Sequence, residues 1–111
     1  MQNTKIGYLY RDASNYKKWN EVVVKGNISP EQINTIVDCL DGELHFIPRQ
    51  VGLPEERFDE MTEDDHAWFE LERESFEPTG HAATEDISVS ELVKNFIKAK
   101  NNWDESLFWA A

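Results

Sequence analysis

The residues of this chain that could do covalent or metal chemistry are few, and their spacing argues against that use. It holds one cysteine, Cys39, and three histidines, His45, His66 and His81, among 22 acidic residues. No histidine pair has the helical spacing of a metal motif such as HExxH. Asp64-Asp65-His66 sets two carboxylates beside an imidazole. Neighbouring residues on a strand point to opposite faces, however, whereas hard cations need several converging oxygens. No metal and no cofactor is expected. A catalytic thiolate needs a helix N-terminus or a cationic neighbour. Cys39 instead falls near the end of a predicted helix, between Asp38 and Asp41, and reads as a small buried hydrophobe. G-x-S-x-G, GxxxxGK[ST] and GxGxxG are all absent, and the five glycines stand apart. With this many acids, close carboxylate pairs arise without selection, so they do not single out glycosidase chemistry. The chain is expected not to be an enzyme; a small enzyme with an unrecognised site is the remaining catalytic alternative.

Binding chemistry is better represented. The net charge is −11, and it is unevenly spread. Residues 1–25 carry a net +3, whereas residues 55–77 hold eleven acids against Arg57 and Arg73, a net −9. Such a field repels nucleic acid and anionic lipid and draws basic partners. Glu70, Glu72 and Glu74 alternate through a predicted strand, which sets them on one face at intervals of about 6.6 Å. With Glu63, Asp64, Asp65, Trp68 and Trp109 they form the predicted partner-binding set. The expected partner is a protein with a basic surface. Tyr8, Tyr10, Tyr16 and Trp19 lie among the N-terminal bases and suit base stacking in type, but the overall charge opposes direct nucleic-acid binding. Two non-enzymatic readings follow. One is a protein–protein interaction module of bacterial or phage accessory type. The other is an acidic nucleic-acid mimic that occupies the binding site of a host or defence protein, as some phage-encoded inhibitors do.

The elements that must position these residues are marked locally. Residues 4–11 alternate Ile6, Tyr8 and Tyr10 against Gly7, Leu9 and Arg11, a strand pattern. Residues 11–15 read as a turn, and residues 17–25 are β-branched, so the two strands form an antiparallel hairpin. Ser29, Pro30 and Gln32 mark a helix start, with Ile28 stapled to Ile33. Ile33, Ile36, Val37 and Leu40 form its stripe, and Gly42 is placed at C′. A strand is predicted over residues 43–47, an irregular stretch over 48–65 with a helical turn from Pro54, and a strand over 66–74. Its apolar face is Ala67, Phe69 and Leu71; residues 78–86 read as a polar loop. A second helix starts at Ser88 with Glu91 at N3, bears Val89, Leu92, Val93, Phe96 and Ile97, and stops at Asn101.

The order β-β-α-β-β-α predicts an α+β fold: a four-stranded, mainly antiparallel sheet with two helices packed on one face. Expected inner-face contacts run from both helix stripes to Leu9 or Tyr8, Val23 and Phe69. At 111 residues and 40% hydrophobic, the chain suits one domain spanning 1–111. A single cysteine excludes an internal disulfide and points to a reducing, cytoplasmic setting. No run approaches the roughly 18 apolar residues of a membrane span, and the N-terminus lacks a signal-peptide pattern. Residues 103–111, WDESLFWAA, are too aromatic for a free tail and are expected to dock, on the chain itself or across a homodimer. GYLYRDASNYKKW and EDDHAWFEL resemble small accessory proteins of bacteria, a resemblance that implies no activity and no site.

Overall fold

The computed structural model describes residues 2–57 and 65–106. Strand β1 (Asn3–Arg11) lies at the centre of the sheet and β2 (Lys17–Val24) pairs with it antiparallel, from Thr4↔Val24 to Arg11↔Lys17. The turn between them is set by Asp12, whose Oδ1 accepts the N–H groups of Ser14 at 3.0 Å and Tyr16 at 2.9 Å. Helix α1 (Pro30–Cys39) starts with the complete Ser29–Gln32 capping box. Buried Thr4 ties its entry to β1: the hydroxyl donates to the Gly26 carbonyl at 2.7 Å and accepts the Ile28 N–H at 3.0 Å. There follow β3 (His45–Phe46), the one-turn α2 (Pro48–Val51), β4 (Phe69–Glu70), β5 (Phe76–Thr79) and α3 (Val89–Ala99).

The sheet order is β2-β1-β4-β3, with β5 also paired to β1, and the helices pack against one face. The α+β architecture is therefore as predicted, with one strand and one short helix more than the four and two expected. Ile6, Tyr8 and Tyr10 of β1 point inward with Val22, Val24, Phe46 and Phe69. Ile36, Leu92 and Phe96 of the helices close the core over them. The aromatic rings meet edge-on or stacked, Tyr8–Phe46 at 5.5 Å and Phe46–Phe96 at 5.6 Å between centroids.

Several local expectations are corrected. The predicted strand 66–74 is broken: after β4 the chain makes a 3₁₀ turn at Arg73–Ser75 and re-enters the sheet as β5. β1 pairs Leu9 with Glu70 but Ile6 with Phe76, so three extra residues bulge out between the two pairings. Ser75 causes this, because its hydroxyl takes the Glu72 N–H at 2.9 Å while its own N–H bonds the Glu72 carbonyl at 3.0 Å. These local bonds replace sheet bonds. Pro78, read as the start of a loop, sits in β5, where an outer strand tolerates a missing N–H.

The helical turn predicted from Pro54 occurs earlier, at α2, where Pro48 takes N1 and Gly52 caps the end at φ 90°. The left-handed φ favours glycine there, and a side chain would also crowd the Ile87 Cδ1 at 3.1 Å, which would have to shift slightly. Helix α1 ends one residue before the predicted Leu40, which is its C-cap, so the left-handed Gly42 lies one position beyond C′. The strand predicted over 43–47 shrinks to β3, because Glu43 at φ 63° belongs to the turn closed by the Asp41–His45 bridge. Tyr8, not Leu9, faces the helices, and Val22 and Val24 take the place given to Val23, which lies on the opposite face. In α3 the buried stripe is Val89, Leu92, Phe96 and Ala99, whereas Ile97 is 56% exposed. The cause is α2: Asn95 donates to the Val51 carbonyl at 2.9 Å, which turns α3 toward the unforeseen helix.

Candidate interaction surface

The sheet face opposite the helices presents Lys5, Gly7, Leu9 and Arg11 of β1 in phase with Lys17, Trp19 and Glu21 of β2. Among the described residues it is lined by open grooves rather than by a helix. The largest feature on it is Trp19, 68% exposed. Beneath the indole, Leu9 pairs across to both Trp19 and Glu70 and is 5% exposed, so it forms an apolar floor. Next along β1 the floor is bare backbone at Gly7, opposite Glu21.

The groove over Gly7, about 380 Å³, is walled by Trp19 and Glu21 on one side and by Glu72, Glu74 and Glu77 on the other. Its cation is Lys5, held by Glu77 at 3.1 Å. The hydrogen bond and charge of Glu77, with Glu21 adding, push the Lys5 ammonium above the ordinary lysine range. A second groove continues past Trp19 to Lys17, Arg11 and Glu70. There Arg11 Nε bonds a Glu70 carboxylate oxygen at 2.8 Å. The face is therefore an exposed indole set in an excess of carboxylates.

The predicted partner-binding residues divide. Glu72 and Glu74 line the groove, but the 3₁₀ turn removes the even strand ladder expected of Glu70, Glu72 and Glu74. Glu70 is spent on Arg11. Asp65 is corrected from surface to interior: it is buried and accepts the Tyr10 hydroxyl. Trp68 is half-buried, edge-on to His45 and Trp103, with its indole N–H bonded to Glu105. Glu63, Asp64 and Trp109 lie outside the described residues. Of the C-terminal stretch, Trp103 docks on the chain's own Phe96 and donates Nε1 to the Cys39 carbonyl at 3.1 Å, whereas residues 107–111 lie outside the described residues. Sequence reasoning missed Trp19 as a surface anchor. The signal was present: Trp19 is in phase with Glu21 and out of phase with Val22 and Val24.

Titratable groups elsewhere are committed to structure. His66 Nδ1 accepts the Trp68 N–H at 3.0 Å, so Nε2 carries the proton and donates to the Arg11 carbonyl at 2.7 Å. Both ring nitrogens are then occupied. Burial pushes the Cys39 thiol up, Lys100 opposing and Asp38 adding. Beneath the sheet end, Arg57 lies 4.8 Å from the Phe69 centroid and pairs with Glu55 at 2.8 Å, and Arg49 reaches the same carboxylate at 2.9 Å. Among the described residues no group of three or more His, Cys, Asp or Glu is placed to hold a metal, and no helix is long and apolar enough to cross a membrane. No family model, no curated protein and no solved structure matches the chain.

Proposed function

We propose that the protein is a non-enzymatic interaction module that binds a basic protein surface through the bare face of its sheet. The observation that carries this reading is the exposed Trp19 set among Glu21, Glu72, Glu74 and Glu77. Carboxylates steer a basic partner and set its orientation, and a large indole supplies the contact area that holds it. The mimic reading relied on evenly spaced carboxylates along one strand; with Glu74 in a 3₁₀ turn and Glu70 paired to Arg11, that spacing no longer supports it. The lone buried Cys39 suits a reducing compartment such as the cytoplasm.

The test is a titration with a nonapeptide of alternating arginine and threonine. Binding should be strong at about 0.01 M salt and weak at about 0.15 M, as the Debye length falls from about 30 Å to about 8 Å. The triple variant E72Q/E74Q/E77Q should slow association and flatten that salt dependence. No binding at low salt, or an unchanged on-rate in the triple variant, would rule the reading out.

A further inference from the structure

Gly7 lies in the middle of the central strand, where glycine is costly because it gives up the most backbone freedom on folding and offers no side chain to pack. It lies opposite the bulge between the β4 and β5 pairings, but nothing packed there demands glycine. Its φ is not in the left-handed region, unlike Gly26, Gly42 and Gly52. A Cβ built there would meet only the Asn20 carbonyl oxygen, at 3.9 Å, an ordinary contact. Any side chain at position 7 would, however, rise into the groove between Trp19 and the carboxylates. Strand glycines mark bulges, bends or places where another molecule approaches the backbone, and the open Cβ position at Gly7 leaves room for such an approach.

Resting on the reading above, we propose that the Gly7 groove seats one arginine side chain of an extended basic segment of the partner. The aliphatic stem lies along the bare backbone at Gly7, the guanidinium plane stacks on Trp19, and its N–H groups face Glu21 and Glu72 or Glu74. Charge complementarity selects a cation: the groove holds four carboxylates and one lysine, already paired with Glu77. The indole selects arginine over lysine, because a planar guanidinium stacks on an aromatic face and still offers its N–H edge to carboxylates, which a compact, strongly hydrated ammonium does not. Gly7 is thereby a specificity-determining residue of the surface, with no side chain of its own.

The experiment compares two nonapeptides, alternating Arg-Thr and alternating Lys-Thr, titrated into the isotopically labelled full chain at about 0.01 M salt. The Arg peptide should move the Gly7 amide and the Trp19 indole N–H resonances and bind at least about tenfold more tightly than the Lys peptide, about 1.4 kcal/mol. Gly7→Val should abolish that preference and weaken the Arg peptide about tenfold or more, with a melting temperature equal to or above the parent's. Trp19→Ala should remove the preference while leaving the salt-dependent attraction. Equal binding of both peptides, or an Arg preference that survives Gly7→Val, overturns the arginine seat and leaves the basic-surface reading standing. Failure of both peptides to bind the parent overturns the two together. Should Gly7→Val not fold, Gly7→Ala carries the same comparison with the smallest side chain, and its undiminished preference is equally decisive against the seat.

Discussion

Tyr10 keeps its proton beyond the ordinary tyrosine range. Burial raises its pKa from 10.0 to about 12, and the hydrogen bond to Asp65 adds to the shift. Between those values the unfolded chain releases this proton while the folded one retains it, so stability falls as pH rises. The contribution is fully present below pH 10 and is lost as pH passes about 12. Tyr8, raised mainly by burial and donating to the Pro54 carbonyl at 2.6 Å, acts in the same direction. Urea midpoints should therefore drop through that window, and Tyr10→Phe should lessen the drop without abolishing it. A variant with the parent's full slope would show that Tyr10 is not its source. Glu55 is a second residue whose environment fixes its role. Its side chain is 5% exposed and meets Arg57, itself 10% exposed, at 2.8 Å. Glu55→Gln removes the carboxylate charge that Arg57 and Arg49 share and should cost about 3 kcal/mol by urea denaturation. A loss below about 1 kcal/mol would mean that water reaches Arg57 and screens it.

At the scale of elements, α3 is fastened by its stripe and its cap. Phe96 is fully buried between Phe46 and Trp103, and Phe96→Ala should cost about 3–5 kcal/mol. Ile97, one residue on and exposed, should tolerate alanine within about 0.5 kcal/mol. The pair separates the observed face from the stripe read off the sequence, in which both were buried. If Ile97→Ala proved as costly as Phe96→Ala, the rotation of α3 toward α2 would be wrong. Strand β2 shows how an end of the sheet is completed without a further strand. Asn20 exchanges two bonds with the Glu56 backbone, 2.8 Å from the Glu56 N–H and 3.1 Å to the carbonyl. Farther along, Val23 bonds Thr84 and Lys25 bonds Ile87 and Val89. These loops occupy the part of the β2 edge near its C-terminus, which limits pairing with other chains there.

For the whole molecule the governing quantity is the charge of −11, part of which sits where the four groove carboxylates face one another. Like charges held together by folding relax when the chain opens, so the compact state is destabilised at low salt. The melting temperature should rise between about 0.01 M and 0.15 M sodium chloride as the repulsion is screened. E72Q/E74Q/E77Q should melt higher than the parent at low salt, with the gap narrowing as salt is added. Identical salt profiles would show that the carboxylates are too far apart to repel. This change has the opposite sign to the loss of partner binding expected of the same variant, so the two effects are separable.

What the sequence determined by itself is whatever is carried by neighbours along the chain. Both capping boxes, the Asp12 turn, the β1–β2 hairpin and the inward phase of Ile6, Tyr8 and Tyr10 rest on contacts within a few residues. The concentration of acid in residues 55–77 is a property of composition and was equally legible. Tertiary structure alone decided what depends on distant partners. Alternation places Glu70, Glu72 and Glu74 together, but Ser75 diverts the chain and β1 accepts it again three residues out of step. Asp65 looked like one more surface acid until the Tyr10 hydroxyl, 55 residues away in sequence, drew it inside. Trp19 and Gly7 had strand phase but no visible surroundings, because the wall of their groove comes from the turn and strand some 50 to 70 residues later. Period-two patterning reports which side of a strand a residue takes; which elements cover that side is set by the packing of the whole chain.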